Sequence, residues 1–162
     1  MSDHWDRIFL RQALGWAYAS KDPNTQVGSV IVGPDRKVRA TGFNGFPRGV
    51  ADTPERLGDR ETKNRLMVHA ERNAICSAAK IGVSLKDTTL YLAATDDSGM
   101  VWGGCPCTAC AIEMIQAGIV SIVAFPRKIT PSKWHADIAF SETILTEAGV
   151  SYREVSYDFA VC

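Results

Sequence analysis

Hydrophobic positions along the chain change period several times, and each change marks an element. From Asp6 to Ala19 apolar residues recur at Ile8, Leu10, Leu14, Trp16 and Tyr18 with charged residues between them, the spacing of an amphipathic helix in which Gly15 permits close packing. Ser20-Lys21-Asp22-Pro23-Asn24 stops it. Val27 to Val32 is short and β-branched, Gly33-Pro34-Asp35-Arg36 is a turn, and Val38 to Gly42 follows, so the pattern predicts a hairpin. Phe43 to Arg65 is a long, charged connection punctuated by Gly and Pro, of the kind that is usually functional or mobile. Helical spacing returns from Leu66 to Lys80, with His69 near its beginning and Gly82 as its stop. Thr88 to Ala94 reads as a strand, Thr95 to Gly104 as a polar loop carrying Trp102, and Pro106 to Ala117 as a helix stopped by Gly118. Ile119 to Phe125 is a buried strand, Pro126 to Lys133 a loop, His135 to Ala148 a helix, and Val150 to Val155 a last strand. A hairpin followed by alternating helices and strands predicts an α/β domain, a mixed sheet of about five strands with helices on its faces.

Neither an internal repeat nor a linker interrupts this order, so residues 1–162 read as one domain, with 156–162 as a tail that either docks a partner or frays. Hydrophobic residues make up 46% and charged residues 22%, which argues against a disordered chain. No apolar run reaches the length of a membrane span, and the first residues lack a signal-peptide pattern, so a cytoplasmic protein with no membrane partner is expected. The 18 Lys and Arg residues balance 18 Asp and Glu residues, which argues against a large basic face for long nucleic acid and favours a small substrate. Five cysteines, clustered around one motif, suit metal ligands and spare thiols in a reducing compartment better than a disulfide framework.

Two stretches carry chemistry: Val68-His69-Ala70-Glu71-Arg72-Asn73-Ala74 and Cys105-Pro106-Cys107-Thr108-Ala109-Cys110. An imidazole from His69 and thiolates from Cys107 and Cys110 can take three corners of a tetrahedral zinc site, leaving the fourth for water. Glu71, two residues from His69, can sit over that corner without being a ligand. Acidified water beside a carboxylate that takes and returns protons is equipment for hydrolytic attack on an electron-poor carbon. Both ligand groups fall at expected helix starts, where free N–H groups favour thiolates. Two thiolates and a neutral imidazole bring the local charge with Zn²⁺ near zero, which moderates that acidification. A Cys-x-x-Cys pair by itself also suits a redox couple or a structural zinc knuckle. A purely structural site would need His135 or Cys105 as fourth ligand and would leave Glu71 without a role. Cys105 otherwise reads as a spare thiol and Cys76 as a buried helix residue.

His-x-Glu followed by Pro-Cys-x-x-Cys is the established signature of zinc nucleobase deaminases, and the chain resembles the cytidine and deoxycytidylate deaminase superfamily in it. Ser20-Lys21-Asp22-Pro23-Asn24-Thr25-Gln26-Val27-Gly28 and Gly42-Phe43-Asn44-Gly45-Phe46-Pro47-Arg48-Gly49 are similar to segments of deoxycytidylate deaminases, which turn dCMP into dUMP and ammonia. The similarity runs from Ile8 to Val155. It implies a three-layer α/β/α fold of the cytidine deaminase type, one catalytic Zn²⁺ per subunit, and a homo-oligomer, hexamer or dimer. Glu71 would move protons from water to ring N3 and to the leaving amino group. Asn44 is similar to the residue that hydrogen-bonds the sugar 3′-hydroxyl, Asn24 and Lys21 would approach the 5′-phosphate with Arg48 as a further cation, and Val27 and Ala70 would wall the pyrimidine. Trp102 and Pro106 complete the candidate contacts. The other reading of these stretches is a capped turn, with Lys21, Arg48, Arg56, Arg60 and Arg65 as solvated charges.

In some members dCTP activates and dTTP inhibits, with Mg²⁺ only as companion of a triphosphate effector; here Val50 to Glu55 diverges. Asp96 to Gly104 is longer than its counterpart, so Trp102 either stacks on the base, admitting a 5-substituted cytosine, or packs on the surface. Lys128 to Trp134 also departs from the family's usual loop. Alternative substrates are 5-methyl- or 5-hydroxymethyl-dCMP, a free nucleoside, guanine, or adenosine in transfer RNA. A non-catalytic, zinc-stabilised nucleotide-binding module is the alternative outside enzymes. Apolar residues near Trp134, Phe140 and Phe159 suit either an interface or the core.

Overall fold

The first helix, α1 (Asp3–Ala17), buries Asp6, Phe9, Leu10, Ala13, Leu14 and Ala17 along one stripe. That face is rotated from the expected one, for Trp16 and Tyr18 are 40% and 63% exposed. Short side chains decide the rotation: Ala13 and Ala17 let the helix backbone descend onto the hairpin strand β1 (Gln26–Val32) at Gly28. A Cβ on Gly28 would lie 2.0 Å from the Ala13 carbonyl oxygen and 2.4 Å from the Ala17 nitrogen, whereas one on Gly15 would meet nothing within 4 Å. The close-packing glycine is thus in the strand. The computed structural model describes residues 3–128 and 134–157.

β1 pairs antiparallel with β2 (Val38–Phe43), as the hairpin pattern predicts. The connection beyond it is not a plain loop. Thr53 accepts a hydrogen bond from the Arg56 N–H and starts α2 (Pro54–Gly58); Asp59 accepts from the Thr62 N–H and starts α3 (Arg60–Leu66). Met67 and Val68 then run extended, and Val68 exchanges backbone hydrogen bonds of 2.8 and 3.1 Å with Gly45. This bridge delays the next helix, α4, to Ala70–Ile81, later than the start at Leu66 that periodicity suggested. On α4 Cys76 is exposed, while Cys105 is the buried one, the reverse of the expectation, because Cys76 sits on the face opposite Ala74 and Ala78.

β3 (Thr88–Thr95) is buried at every position. A two-residue strand, β4 (Val101–Trp102), lies inside the stretch expected to be a loop and pairs with Ala94 and Thr95 at the end of β3. α5 (Thr108–Gln116), β5 (Ile119–Ala124), α6 (His135–Glu147) and β6 (Ser151–Glu154) complete the described elements. α5 starts two residues after Pro106. The sheet runs β2-β1-β3-β5-β6 with β4 off β3, antiparallel through β4 and parallel from β3 to β6. Among the described residues it has six strands. The loop expected from Pro126 to Lys133 falls largely on 129–133, and the tail beyond Tyr157, with Phe159, likewise lies outside the described residues. Phe140 and Trp134 are exposed, not core.

Period-two alternation sends the strands' side chains to two cores. Val30, Val32, Tyr91 and Val123 pack under α1, and Ile31, Leu90, Leu92 and Ile122 pack under α4, α5 and α6 with Ala74, Met114 and Leu145. Helices therefore cover both faces, the expected layering. Buried Asp6 ties three elements together by accepting from the Tyr91 hydroxyl at 2.9 Å and pairing with Arg153. On the other face α4 rests on Gly42, where a Cβ would come within 2.3 Å of the Ala70 oxygen and 2.6 Å of the Ala74 nitrogen. Both obstacles are backbone. Gly42→Ala is expected to destabilise the fold by about 1–3 kcal/mol or more, read as a drop in the midpoint of denaturant unfolding.

Candidate active site

Two helix N-termini converge above the sheet, and each presents its first flanking residue. His69 precedes α4 and Cys107 precedes α5, both with extended backbone and neither spending its side chain on a capping hydrogen bond. Cys110 follows from the first turn of α5. His69 Nδ1 lies 3.4 Å from Cys107 Sγ and 3.4 Å from Cys110 Sγ, and the three ligating atoms fall within 4.8 Å of one another. Tetrahedral zinc, with Zn–N about 2.0–2.1 Å and Zn–S about 2.3 Å, places nitrogen and sulfur roughly 3.6 Å apart. The donor set therefore fits zinc in kind and in its nitrogen–sulfur spacing. Cys107 is held far below the usual thiol range, at about 4, by hydrogen bonds with the Cys110 thiol and the His69 imidazole, and Cys110 is pushed up in turn. These are shared protons that a divalent cation displaces on binding.

Neither His135 nor Cys105 joins this cluster among the described residues. Cys105 Sγ lies 3.5 Å from the buried Ser141 hydroxyl, and burial pushes its thiol up to about 11. With no fourth side chain present, the arrangement has an open corner, as catalytic zinc sites do. Arg72 on α4 grips Glu113 on α5 with two bonds of 3.0 and 2.8 Å, fixing one ligand-bearing helix against the other.

Glu71, in the first turn of α4, is 5% exposed and lines a cleft of about 1010 Å³ with His69 and Cys107. Burial raises its carboxyl above the ordinary value, opposed chiefly by the nearby His69. Ser29, on β1, donates to the Ala70 carbonyl at 2.8 Å and seats this turn on the sheet. Val27, Ala70, Asn24, Asn44, Trp102 and Pro106 all reach the same cleft. Asn44 is nearly buried: its Oδ1 accepts from the Val27 N–H at 2.7 Å and its Nδ2 donates to the Thr25 carbonyl at 2.8 Å. It braces the strand start as well as facing the cavity.

Residues 3–125 match the family model described as the cytidine and deoxycytidylate deaminase zinc-binding region. A deoxycytidylate deaminase of Pongo abelii is 35% identical over 159 residues, covering 93% of this chain and 79% of that one. An uncharacterised deaminase of Aliivibrio fischeri is 35% identical over 160 residues, covering 98% of each. The chain belongs to the cytidine and deoxycytidylate deaminase family. Its fold is also that of the dCMP deaminase of cyanophage S-TIM5, solved in complex with dCMP and dUMP, at a TM-score of 0.72 and 19% identity over 96% of this chain and 99% of that one.

Two expected contacts of this deaminase do not reach the cleft. Lys21 is exposed and paired with Asp52 at 3.0 Å, and Arg48 lies against α4, donating to Ser77 at 2.9 Å and Asn73 at 3.4 Å. Each cation is drawn off by a nearer acceptor. In their place α2 and α3 bring Leu57, Arg60, Lys63, Asn64 and Met67 to the cleft of the deaminase, and Lys128 enters from beyond β5. Lys128 stands 4.5 Å from the Trp102 ring centroid and 2.9 Å from Asp96, so Trp102 is a fixed wall of the cavity. The caps Thr53-Pro54-Glu55 and Asp59-Arg60-Glu61 were a legible signal for α2 and α3; that these helices face the site was not.

Proposed function

We propose that this deaminase hydrolyses dCMP to dUMP and ammonia. The observation that carries the reading is the His69, Cys107 and Cys110 triangle, open at one corner and flanked by buried Glu71 in a nucleotide-sized cleft. Relatives named deoxycytidylate deaminases support the substrate class. Zinc, which His69, Cys107 and Cys110 would hold, would supply the Lewis acidity that makes water a competent nucleophile near neutral pH. Glu71 takes a proton from that water and gives it to pyrimidine N3, which draws electrons from C4. A C–O bond forms at C4; Glu71, ionised again, takes the second proton from the new C4 hydroxyl and delivers it to the 4-amino group, the C–N bond breaks as the C4 carbonyl forms, and ammonia leaves. Val27 and Ala70 wall the ring, and Asn44 faces the sugar.

Trp102, clamped by Lys128, favours a second reading in which a 5-substituted dCMP is accepted, its substituent lying against the indole. The deciding experiment is ammonia release by zinc-loaded protein from dCMP, 5-methyl-dCMP, deoxycytidine, CMP and guanine. Preferential turnover of dCMP is expected; preference for 5-methyl-dCMP selects the second reading, and preference for guanine or a free nucleoside sinks both. The same reading includes a reducing, cytoplasmic setting, supported by the unpaired thiols of Cys76, Cys105, Cys107 and Cys110, and a homo-oligomer. Control by dCTP and dTTP, with Mg²⁺ accompanying the triphosphate, belongs to it too, and an activity titration flat in both nucleotides removes that part.

A further inference from the structure

A nucleotide is told from its nucleoside by the phosphate, and the two cations that motif likeness offered for it, Lys21 and Arg48, are turned elsewhere. Among the described residues lining the cleft, three carry an ammonium or guanidinium group. Lys63 is neutralised by Asp22 at 2.9 Å and Lys128 by Asp96 at 2.9 Å. Arg60, exposed at the start of α3, has neither an ion pair nor a hydrogen-bonded partner for its side chain among the described residues.

Lys63 does something different. Its side chain is 9% exposed, and its Nζ also lies 2.6 Å from the side-chain oxygen of Asn24. An ammonium group only donates, so the amide atom facing it is the oxygen. The Asn24 NH₂ is therefore turned away from Lys63 and has no protein partner among the described residues, at a position that lines the cleft. Asp22 completes the brace by accepting from the Asn24 and Thr25 N–H groups at 2.8 and 3.2 Å as well as from Lys63.

We propose that the segment between the hairpin and α4 builds the phosphate-reading edge of the cleft: Arg60 supplies the cation, and Lys63 is a positioning residue that turns the Asn24 amide so that its NH₂ donates to the same phosphate. This rests on the dCMP reading. It assigns to α2 and α3, which arrive with the stretch between Gly49 and Val68, the discrimination between nucleotide and nucleoside.

The test compares kcat/KM for dCMP and deoxycytidine in zinc-loaded wild type, Arg60→Gln, Arg60→Lys, Lys63→Met and Asn24→Asp. Arg60→Gln is expected to lower the dCMP-to-deoxycytidine ratio roughly 10- to 100-fold, the loss appearing in KM for dCMP and not in kcat. Arg60→Lys recovers part of it, since charge returns without the paired donors. Asn24→Asp keeps an oxygen for Lys63 but turns a carboxylate toward the phosphate, and lowers the ratio at least as much. Lys63→Met lowers it through the freed amide; if that variant fails to fold, Asn24→Asp carries this arm. A wild-type preference for dCMP that survives unchanged in Arg60→Gln and Asn24→Asp overturns the proposal and leaves the dCMP reading standing. A wild type that does not prefer dCMP to deoxycytidine overturns the reading itself, and the proposal with it.

Discussion

Glu71→Gln is expected to keep zinc and fold and to lose nearly all turnover. Glutamine has the shape of glutamate and can occupy the same buried turn of α4, where Glu71 is 5% exposed and where the Ser29 hydroxyl anchors the neighbouring Ala70 carbonyl. It can neither accept the water's proton nor return one. General acid–base catalysis by one positioned side chain is worth roughly 10²–10⁴ in rate, and here one carboxyl serves both ring nitrogen and leaving group, so the upper end applies. The check is kcat for dCMP beside zinc content and thermal midpoint. Substantial residual activity with zinc retained rules out the proton-shuttle role; loss of zinc shows instead that Glu71 holds the metal.

Cys110→Ser is expected to remove both metal and activity. Cys110 is 1% exposed at the floor of the site, 3.4 Å from His69 Nδ1, and a serine hydroxyl stays protonated near neutral pH. Losing a direct ligand must cost more than the roughly 10- to 100-fold in affinity that loss of an outer hydrogen-bond partner costs. Metal analysis after gel filtration should find about one zinc per wild-type chain and almost none in the variant. Chelator-treated wild type should recover activity when zinc returns, and Cys110→Ser should not. Cys105→Ser is the control, because its sulfur packs on Ser141 away from the cluster, and zinc there should stay stoichiometric. Stoichiometric zinc in Cys110→Ser would mean that the third ligand lies elsewhere.

The metal chemistry was legible because each half of it is a short motif of distinctive residue types, although the fold brings the halves together across 38 and 41 residues. A Cys-x-x-Cys pair places two thiols on one helix turn, and His-x-Glu places a ligand and a carboxylate on the other, so residue type and spacing already constrain the geometry. The same holds for the strands: β1, β3 and β5 are short, β-branched and apolar on both faces, which only a covered sheet permits. The buried face of α1 differs from the one its large apolar residues suggest, because the packing is decided by Ala13, Ala17 and Gly28, whose value lies in what they lack.

By itself, the sequence picked out the His69, Cys107 and Cys110 cluster with Glu71 beside it, the family and the layered order of elements, since each is carried by a short motif of chemically distinctive residues or by a strong period. Tertiary structure alone decided which charges line the cleft. Lys21 and Arg48 lie in recognisable motifs yet are claimed by Asp52, Asn73 and Ser77, while Arg60 and Lys63, within an unremarkable charged stretch, line the cleft. A cation's direction depends on which acceptor the fold brings within about 3 Å, and at separations such as the 41 residues between Asp22 and Lys63 no local pattern encodes that.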